Sequence, residues 1–375
     1  MENYLNLLKD IKKNGRWVSH RRTKTRCLHI VGPQLEFDLQ DGFPLVTTRY
    51  VPFKNVITEL LWFLKGETNI AYLHKYNNPI WDAWSLSEHD LKKCNQRDVY
   101  GNLLTVGECG PIYGKQWREW RTSNYSTIDQ IQTLLNNLVS NPSSRRHVVS
   151  AWNPEFLPDE SISPQENIIK GKQCLPPCHM VFQFMTQKAS LIERLKEVSP
   201  ETQKEFLPFF NSCHFTTGKG LWTWLKSHFY KRSLFQLTDR DISPEDCEKG
   251  HSLLDSISWR GRMGVPRNIL HLKLYARSQD VPLGTVFNIA SYSLLLSLVA
   301  YSVKMIPGKY IHTVGDAHIY ENQLEGVETQ LQRKPLLKCK LKVSEDVGSL
   351  FDYEPYHIGL ENYSHHPTIK FPISV

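Results

Sequence analysis

The sequence predicts an α+β fold, in which helices pack on a mixed or largely antiparallel sheet. Segments with helical periodicity and segments with strand alternation follow one another without the regular strand–helix–strand rhythm of a parallel sheet. No internal repeat interrupts this mixture. The chain has 375 residues, of which 40% are hydrophobic, so it is long enough to bury a core without disulfide or metal staples.

The first third of the chain contains helix and strand signals in turn. Residues 2–13 repeat apolar side chains at helical spacing and end at Gly15, which predicts a helix. Residues 26–38 alternate around a Gly-Pro pair, which predicts two short strands. Residues 56–64 predict a second helix, which carries one acid, Glu59, among apolar neighbours.

The remaining core elements are predicted by the same signals. A capping-box pattern at 126–129 predicts the start of a helix that ends at 141–142, where Asn precedes Pro. Alternating apolar segments predict core strands at 147–152, 180–184 and 270–275. The apolar stretch 287–305 contains an asparagine, several serines and two tyrosines, so we interpret it as a buried core helix and not as a membrane span.

The segment 187–267 differs in character from its surroundings. Charged and apolar residues alternate there at helical spacing, and a Gly/Pro/Arg-rich stretch leads back to the next strand. Such a segment is far longer than an ordinary connecting loop. We therefore expect one domain built from 1–186 and 268–375, with 187–267 as an inserted, mainly helical subdomain.

Charge and cysteine content indicate which class of binding partner and which cellular compartment to expect. The chain has 45 Lys and Arg against 38 Asp and Glu, a formal charge of +7. This mild excess suits a small anionic substrate, and without a long basic run nucleic acid is not the expected partner. The start of the chain lacks the pattern of a signal peptide, and its eight cysteines are scattered. We expect free thiols, no membrane and a cytoplasmic protein, in the host cytoplasm if it is viral.

The sharpest local feature is the run LPPCH at 175–179. Two prolines stiffen the backbone directly before Cys178, and a thiolate is a strong nucleophile where nearby cations stabilise it. Candidate cations are the pair 145–146 and Arg277. One alternative is an inert buried cysteine. The other is a zinc site, although the spacing lacks paired cysteines, with Cys174, Cys178, His179, Cys213 and His214 as ligands.

Other candidate groups have a functional and a structural interpretation. The arginine pair 145–146 suits a phosphate clamp or a solvated helix end. His318 and Tyr320 lie two residues apart, so they share one face of a strand and suit either sugar hydroxyls or a polar edge. Asn288 suits a ligand contact or a helix cap. Glu59 is costly to bury unpaired, which favours a role in proton transfer.

Together these segments resemble the thymidylate synthase family in their residues and in their order along the chain. The resemblance covers the chain except for the insertions. The matching segments are DGFPLVTT (41–48), ELLWFL (59–64), IWD (80–82), GPIYGKQW (110–117), SRR (144–146), VSAWN (149–153), LPPCH (175–179), RS (277–278), FNIASY (287–292), GD (315–316), HIY (318–320) and HP (366–367). It implies the family's α+β fold and a homodimer whose two sheets face each other.

The resemblance implies a catalytic role for five residues. Cys178 would attack C6 of a pyrimidine nucleotide, with Arg277 supplying charge beside the thiolate. Glu59 and Tyr113, with ordered water, would move protons at O4 and C5. Asn288 would read the base edge. Because an amide can face both N3–H and O4 of uracil, we expect dUMP and not dCMP as the substrate.

The resemblance also implies two binding surfaces and a dimer. The nucleotide would be bound by Arg22, Arg145, Arg146, Arg277, Ser278, Asp280, Asn288, His318 and Tyr320. The co-substrate 5,10-methylenetetrahydrofolate would be bound by Arg49, Ile80, Trp81, Trp84, Asp280, Leu283, Gly284, Phe287 and Ser374. The C-terminal residues would close over the site and exclude water. Arg145 and Arg146 would reach the neighbouring site of a homodimer, and no metal is expected.

The chain departs from the family pattern in the phosphate loop and beside the expected folate wall. The loop 22–27 lacks two glycines, and the other changes are at Ala276, Gln279, Thr285, Val286, Val314 and Ala317. Altered folate placement or water exclusion predicts hydroxymethylation, giving 5-hydroxymethyl-dUMP for the modified DNA of a bacteriophage. The alternatives are thymidylate synthase itself, which makes dTMP, and an RNA-binding regulator on a retired enzyme fold, suggested by the Trp- and Lys-rich segment 220–235.

Overall fold

A computed structural model of the chain describes residues 1–19, 25–94, 96–99, 101–206, 208–209 and 242–373. The helices are α1 (Glu2–Asn14), α2 (Phe53–Leu64), α3 (Ala71–Lys75), α4 (Glu88–Leu91), α5 (Tyr113–Arg118), α6 (Gln130–Ser140), α7 (Pro164–Ile169), α8 (Leu191–Lys196), α9 (Pro200–Glu205), α10 (Pro244–Asp255), α11 (Val286–Ser302) and α12 (Leu324–Leu331). The strands are β1 (Arg16–Ser19), β2 (Arg26–Val31), β3 (Gln34–Asp38), β4 (Trp120–Arg121), β5 (Thr127–Ile128), β6 (Val148–Ser150), β7 (His179–Lys188), β8 (Ser258–Trp259), β9 (Arg262–Met263), β10 (Asn268–Asp280), β11 (Ile306–Tyr320), β12 (Lys340–Val343) and β13 (Ile358–Glu361).

A seven-stranded sheet organises these elements. Its order is β1-β2-β11-β10-β7-β6, and β3 pairs with β11 beside that path. The pairs β1–β2, β2–β11, β3–β11 and β6–β7 are antiparallel. The α+β class predicted from the sequence is therefore confirmed.

The alternation along β10 separates a buried side of the sheet from an open one. Leu272 and Leu274 are fully buried, whereas Lys273 and Tyr275 between and after them are exposed. The long apolar helix α11 is a core helix, because its residues 289–300 are all buried. This burial agrees with the interpretation of the stretch as core and not membrane span.

The start of α6 corrects one sequence prediction. The capping-box pattern placed the start of the helix at 126–129, but the cap is Asp129, whose side chain accepts the N–H of Gln132 at 2.9 Å. Thr127 and Ile128 instead form β5, which pairs with β4. A carboxylate is as good a cap as a serine hydroxyl, and here the strand pairing holds the serine outside the helix.

The chain divides into two compact units. One comprises Met1–Met185, His271–Val299 and Gly308–Val375, and the other comprises Thr186–Leu270 and Ala300–Pro307. The second unit has an apolar cluster of its own, which includes Leu191, Leu254 and Trp259. The stretch 300–307, at the end of α11 and the start of β11, belongs to it although the sequence did not suggest so.

Helices α2 and α5 approach each other closely at Gly114. A Cβ there would lie 2.6 Å from the carbonyl oxygen of Phe63 and 2.8 Å from its Cα, and backbone atoms cannot rotate away. We expect Gly114→Ala to lower the free energy of unfolding by about 1–3 kcal/mol, measured by urea denaturation. Gly284→Ala is the matched control, since its Cβ would meet no described atom within 4 Å. An equal loss in both variants would contradict the prediction.

Candidate active site

Cys178 is held from two sides where the Pro-Pro segment enters β7. Its N–H donates to the phenolic oxygen of Tyr113 at 2.8 Å, and its carbonyl accepts the N–H of Arg277 at 2.8 Å. The cysteine is half-buried. The structure therefore brings together three of the residues that the sequence nominated for catalysis.

The Arg277 guanidinium lies against the sulfur. Nη2 is 3.8 Å from Sγ of Cys178 and donates to the carbonyl of Pro176 at 3.1 Å, while Nε donates to the carbonyl of Pro177 at 3.1 Å. The two prolines thus orient the cation as well as the thiol. A fixed positive charge at this distance favours the thiolate over the thiol.

Two aromatic residues near this site were not nominated for catalysis, since His179 was named only as a possible zinc ligand and Tyr292 was not named. His179 stacks on Tyr113 with ring centroids 4.0 Å apart, and its Nδ1 lies 2.6 Å from the hydroxyl of Tyr292. Burial lowers the pKa of His179 to about 3 and raises that of Tyr113 well above its ordinary value, so both rings are neutral. Both missed residues stand inside the matching segments LPPCH and FNIASY, which was the available signal.

The carboxyl group of Glu59 accepts a hydrogen bond from an indole. Trp81 Nε1 donates to its Oε1 at 2.7 Å. Burial raises the pKa of Glu59 to about 7, and the bond from Trp81 only partly offsets that effect. A carboxyl group that titrates near neutrality can accept and return a proton at working pH.

The sugar-binding candidates form a cluster on β11. Asp316 Oδ1 lies 2.7 Å from Nδ1 of His318, and its Oδ2 lies 2.8 Å from Nδ1 of His29 on β2. The antiparallel register places His29 directly opposite His318. Tyr320 follows, with its ring 5.0 Å from that of His318. His29 was not nominated, because only the strand pairing brings it to this cluster.

The expected folate wall is a π-helical turn, Val281–Thr285, directly after β10. Asp280 caps it, since Oδ1 accepts the N–H of Leu283 at 3.0 Å. Burial raises the pKa of Asp280 above its ordinary value. Arg49 is 4% exposed and donates to the carbonyl of Pro282 at 2.7 Å, so its guanidinium supports the turn itself.

The other nominated residues are placed as follows. Trp84 lies edge-on to Trp81 at 5.8 Å. Ile80, Ser278, Gly284, Phe287 and Asn288 are half-buried, and Arg145 and Arg146 are exposed directly before β6. Arg22, Ser374, Cys213, His214 and the segment 220–235 lie outside the described residues. Within the described ranges, no group of three or more potential metal ligands was found.

Two departures from the family pattern bond to each other in the core. Thr285 Oγ1 donates to Oε1 of Gln279 at 2.8 Å, and Nε2 of His312 lies 2.7 Å from the same oxygen. All three side chains are at least 96% buried. These two changes are therefore part of a buried polar network.

Comparisons with known proteins agree with this geometry. The profile of the family described as thymidylate synthase matches residues 2–201 and 249–375. The chain is 38% identical to the thymidylate synthase of Francisella tularensis subsp. holarctica, 37% to that of Francisella philomiragia and 34% to that of Listeria monocytogenes serovar 1/2a. Each alignment covers the whole of both chains. The chain belongs to the thymidylate synthase family.

Proposed function

We propose that this chain transfers a one-carbon group from 5,10-methylenetetrahydrofolate to C5 of dUMP. The observation that carries the proposal is the position of Cys178 between Tyr113 and Arg277. Attack of the thiolate on C6 forms an Sγ–C6 bond and moves the ring electrons towards C5 and O4, so that C5 becomes the nucleophile. Later elimination breaks the Sγ–C6 bond and returns the thiolate.

Other residues around Cys178 exchange protons with the substrate and bind its base and sugar. Glu59 and Tyr113 exchange protons with the base, Asn288 reads its edge, and His318 and Tyr320 hold the sugar. A test of base selection compares covalent adducts with 5-fluoro-dUMP and 5-fluoro-dCMP, each with methylenetetrahydrofolate. We expect the uracil analogue to react, and a preference for the cytosine analogue would refute this part of the proposal.

The wall after β10 fits a folate. A Cβ on Gly284 would meet no described atom within 4 Å, so neither packing nor a left-handed backbone requires glycine there. The open space at Gly284 leaves room for a flat heterocycle against the turn. The co-substrate supplies the one-carbon unit, while Trp81, Asp280 and the turn orient it and limit water.

The proposed product is dTMP. The relatives are named thymidylate synthase, and Gln279 and Thr285 bond within the core, so both observations favour reductive methylation over the hydroxymethylation expected from the sequence. Mass analysis of the nucleotide formed from dUMP and methylenetetrahydrofolate decides the question, with dihydrofolate followed by absorbance. A product heavier by one oxygen, without dihydrofolate, would establish the hydroxymethylase instead.

The proposal includes a homodimer with shared sites. Arg145 and Arg146 are exposed, and Val148 and Tyr275 on the sheet are 46% and 40% exposed, which supports pairing through the open face. Mixing Cys178→Ser subunits with Arg145→Ala/Arg146→Ala subunits is expected to restore activity that neither variant has alone. No restoration after subunit exchange would contradict a shared site.

We also propose a cytoplasmic location and one catalytic domain, 1–186 with 268–375, interrupted by the inserted segment 187–267. The second compact unit and the gap in the family match both support the insertion. Deleting 187–267 and assaying turnover tests whether the catalytic domain needs it.

A further inference from the structure

One buried side chain joins three parts of the proposed site. Gln323 follows Tyr320 at the end of β11 and is 1% exposed. Its Oε1 accepts the N–H of Tyr320 at 3.1 Å, and its Nε2 donates to Oδ2 of Asp280 at 2.7 Å and to the carbonyl of Pro372 at 3.1 Å. Both amide hydrogens and an acceptor lone pair are therefore used.

The bond to Asp280 completes the support of that carboxylate. One of its oxygens accepts the N–H of Leu283, and the other accepts from Gln323. A buried carboxylate without such donors is costly and rotates towards whatever donor is near. The two bonds instead fix its plane at the start of the turn Val281–Thr285.

A second tie connects the same turn to the C-terminal segment. Arg49 donates to the carbonyl of Pro282 and lies 5.3 Å over the ring of Phe371. Phe371 precedes Pro372, whose carbonyl is bonded to Gln323. The turn and the C-terminal segment are therefore joined on both sides, by Arg49 and by Gln323.

We infer that Gln323 is a positioning residue for the co-substrate: it fixes the Asp280 carboxylate in the folate wall and ties that wall to the C-terminal segment and to the sugar end of β11. This inference rests on the proposed function for the identity of the ligand. Sequence reasoning passed over the position, because a glutamine directly before a helix resembles a solvated surface residue.

Two variants separate the bond to Tyr320 from the two bonds that Gln323 donates. Gln323→Glu keeps the acceptor for Tyr320 N–H but loses both donors and places a second carboxylate against Asp280. Gln323→Met has similar volume and loses all three bonds. The matched control is Gln330→Met, which removes another fully buried glutamine, bonded to Thr48, from α12.

In Gln323→Glu we expect KM for methylenetetrahydrofolate to rise by about 10-fold or more, because a hydrogen bond to a charged group is lost, while KM for dUMP stays within about twofold. The folate defect should shrink as the pH falls from 8 to 6, since the two carboxylates can then share a proton. The other titratable side chains that act on Asp280, His318 and Arg49, are common to all variants. Gln323→Met should lack this recovery.

A measurement without ligands tests separately whether Gln323 holds the C-terminal segment in place. Hydrogen exchange of the segment 366–373 should quicken by about 10-fold in both Gln323 variants and not in Gln330→Met. Equal rises of both KM values in Gln323→Glu, or the same changes in the control, would overturn the inference. Unchanged hydrogen exchange of residues 366–373 in the Gln323 variants would show that Gln323 does not hold the C-terminal segment.

A wild-type protein that forms no complex with 5-fluoro-dUMP and folate would instead refute the proposed function.

Discussion

Replacing Cys178 with serine is expected to lower turnover of dUMP by at least about three orders of magnitude, because a hydroxyl beside Arg277 stays protonated where a thiol ionises. The covalent complex with 5-fluoro-dUMP and methylenetetrahydrofolate should disappear from denaturing mass spectra. Binding of dUMP should persist, since the backbone bonds of Cys178 to Tyr113 and Arg277 do not involve the sulfur.

The matched control is Cys94→Ser, which changes another half-buried cysteine. Cys94 lies just after the short helix α4 and donates only a weak bond to the carbonyl of Leu91. Its replacement should leave adduct formation and turnover within about twofold. A Cys178→Ser enzyme that still forms the adduct would show that another nucleophile acts.

Local patterns were sufficient to predict most of the fold. The apolar face of α1, the alternation along β10 and the continuous apolar run of α11 each depend on residues close in sequence, so their periods indicate the element and its buried side. The capping box at 126–129 failed because two signals compete there, and the strand pairing of Thr127 and Ile128 decides between them.

The site was predictable where its residues stand in continuous segments and not elsewhere. Cys178 and His318 lie in continuous segments whose residues match those of the family. His29 and Gln323 reach the site only through strand register and through contacts with residues far away in sequence. The contact of Gln279 with His312 is of the same kind, because these residues are far apart in sequence.

Glu59→Gln is expected to lower kcat by about 10²–10⁴-fold, because the amide keeps the shape of the side chain but cannot exchange the proton. The wild-type pH profile of kcat/KM should show an apparent pKa of about 7, and that inflection should be absent in the variant. Glu160→Gln, on an exposed loop, is the control and should keep both the rate and the inflection. An unchanged profile in Glu59→Gln would assign the proton transfer to another group.

The same substitution should stabilise the protein at alkaline pH. The pKa of Glu59 is raised to about 7 from a model-compound value of 4.5, so the folded state holds this proton more tightly than the unfolded state. Its contribution to stability is complete below pH 4.5 and is lost as the pH rises through 7, where a poorly solvated carboxylate replaces the acid.

Glutamine at position 59 keeps the oxygen that accepts the hydrogen bond from Trp81, and it never ionises. At pH 8 we therefore expect Glu59→Gln to unfold with a free energy about 1–3 kcal/mol higher than wild type, and at pH 4.5 with the same value, both from urea denaturation. A loss of stability at pH 8 would mean that the carboxylate is solvated and that its proton is not held by burial.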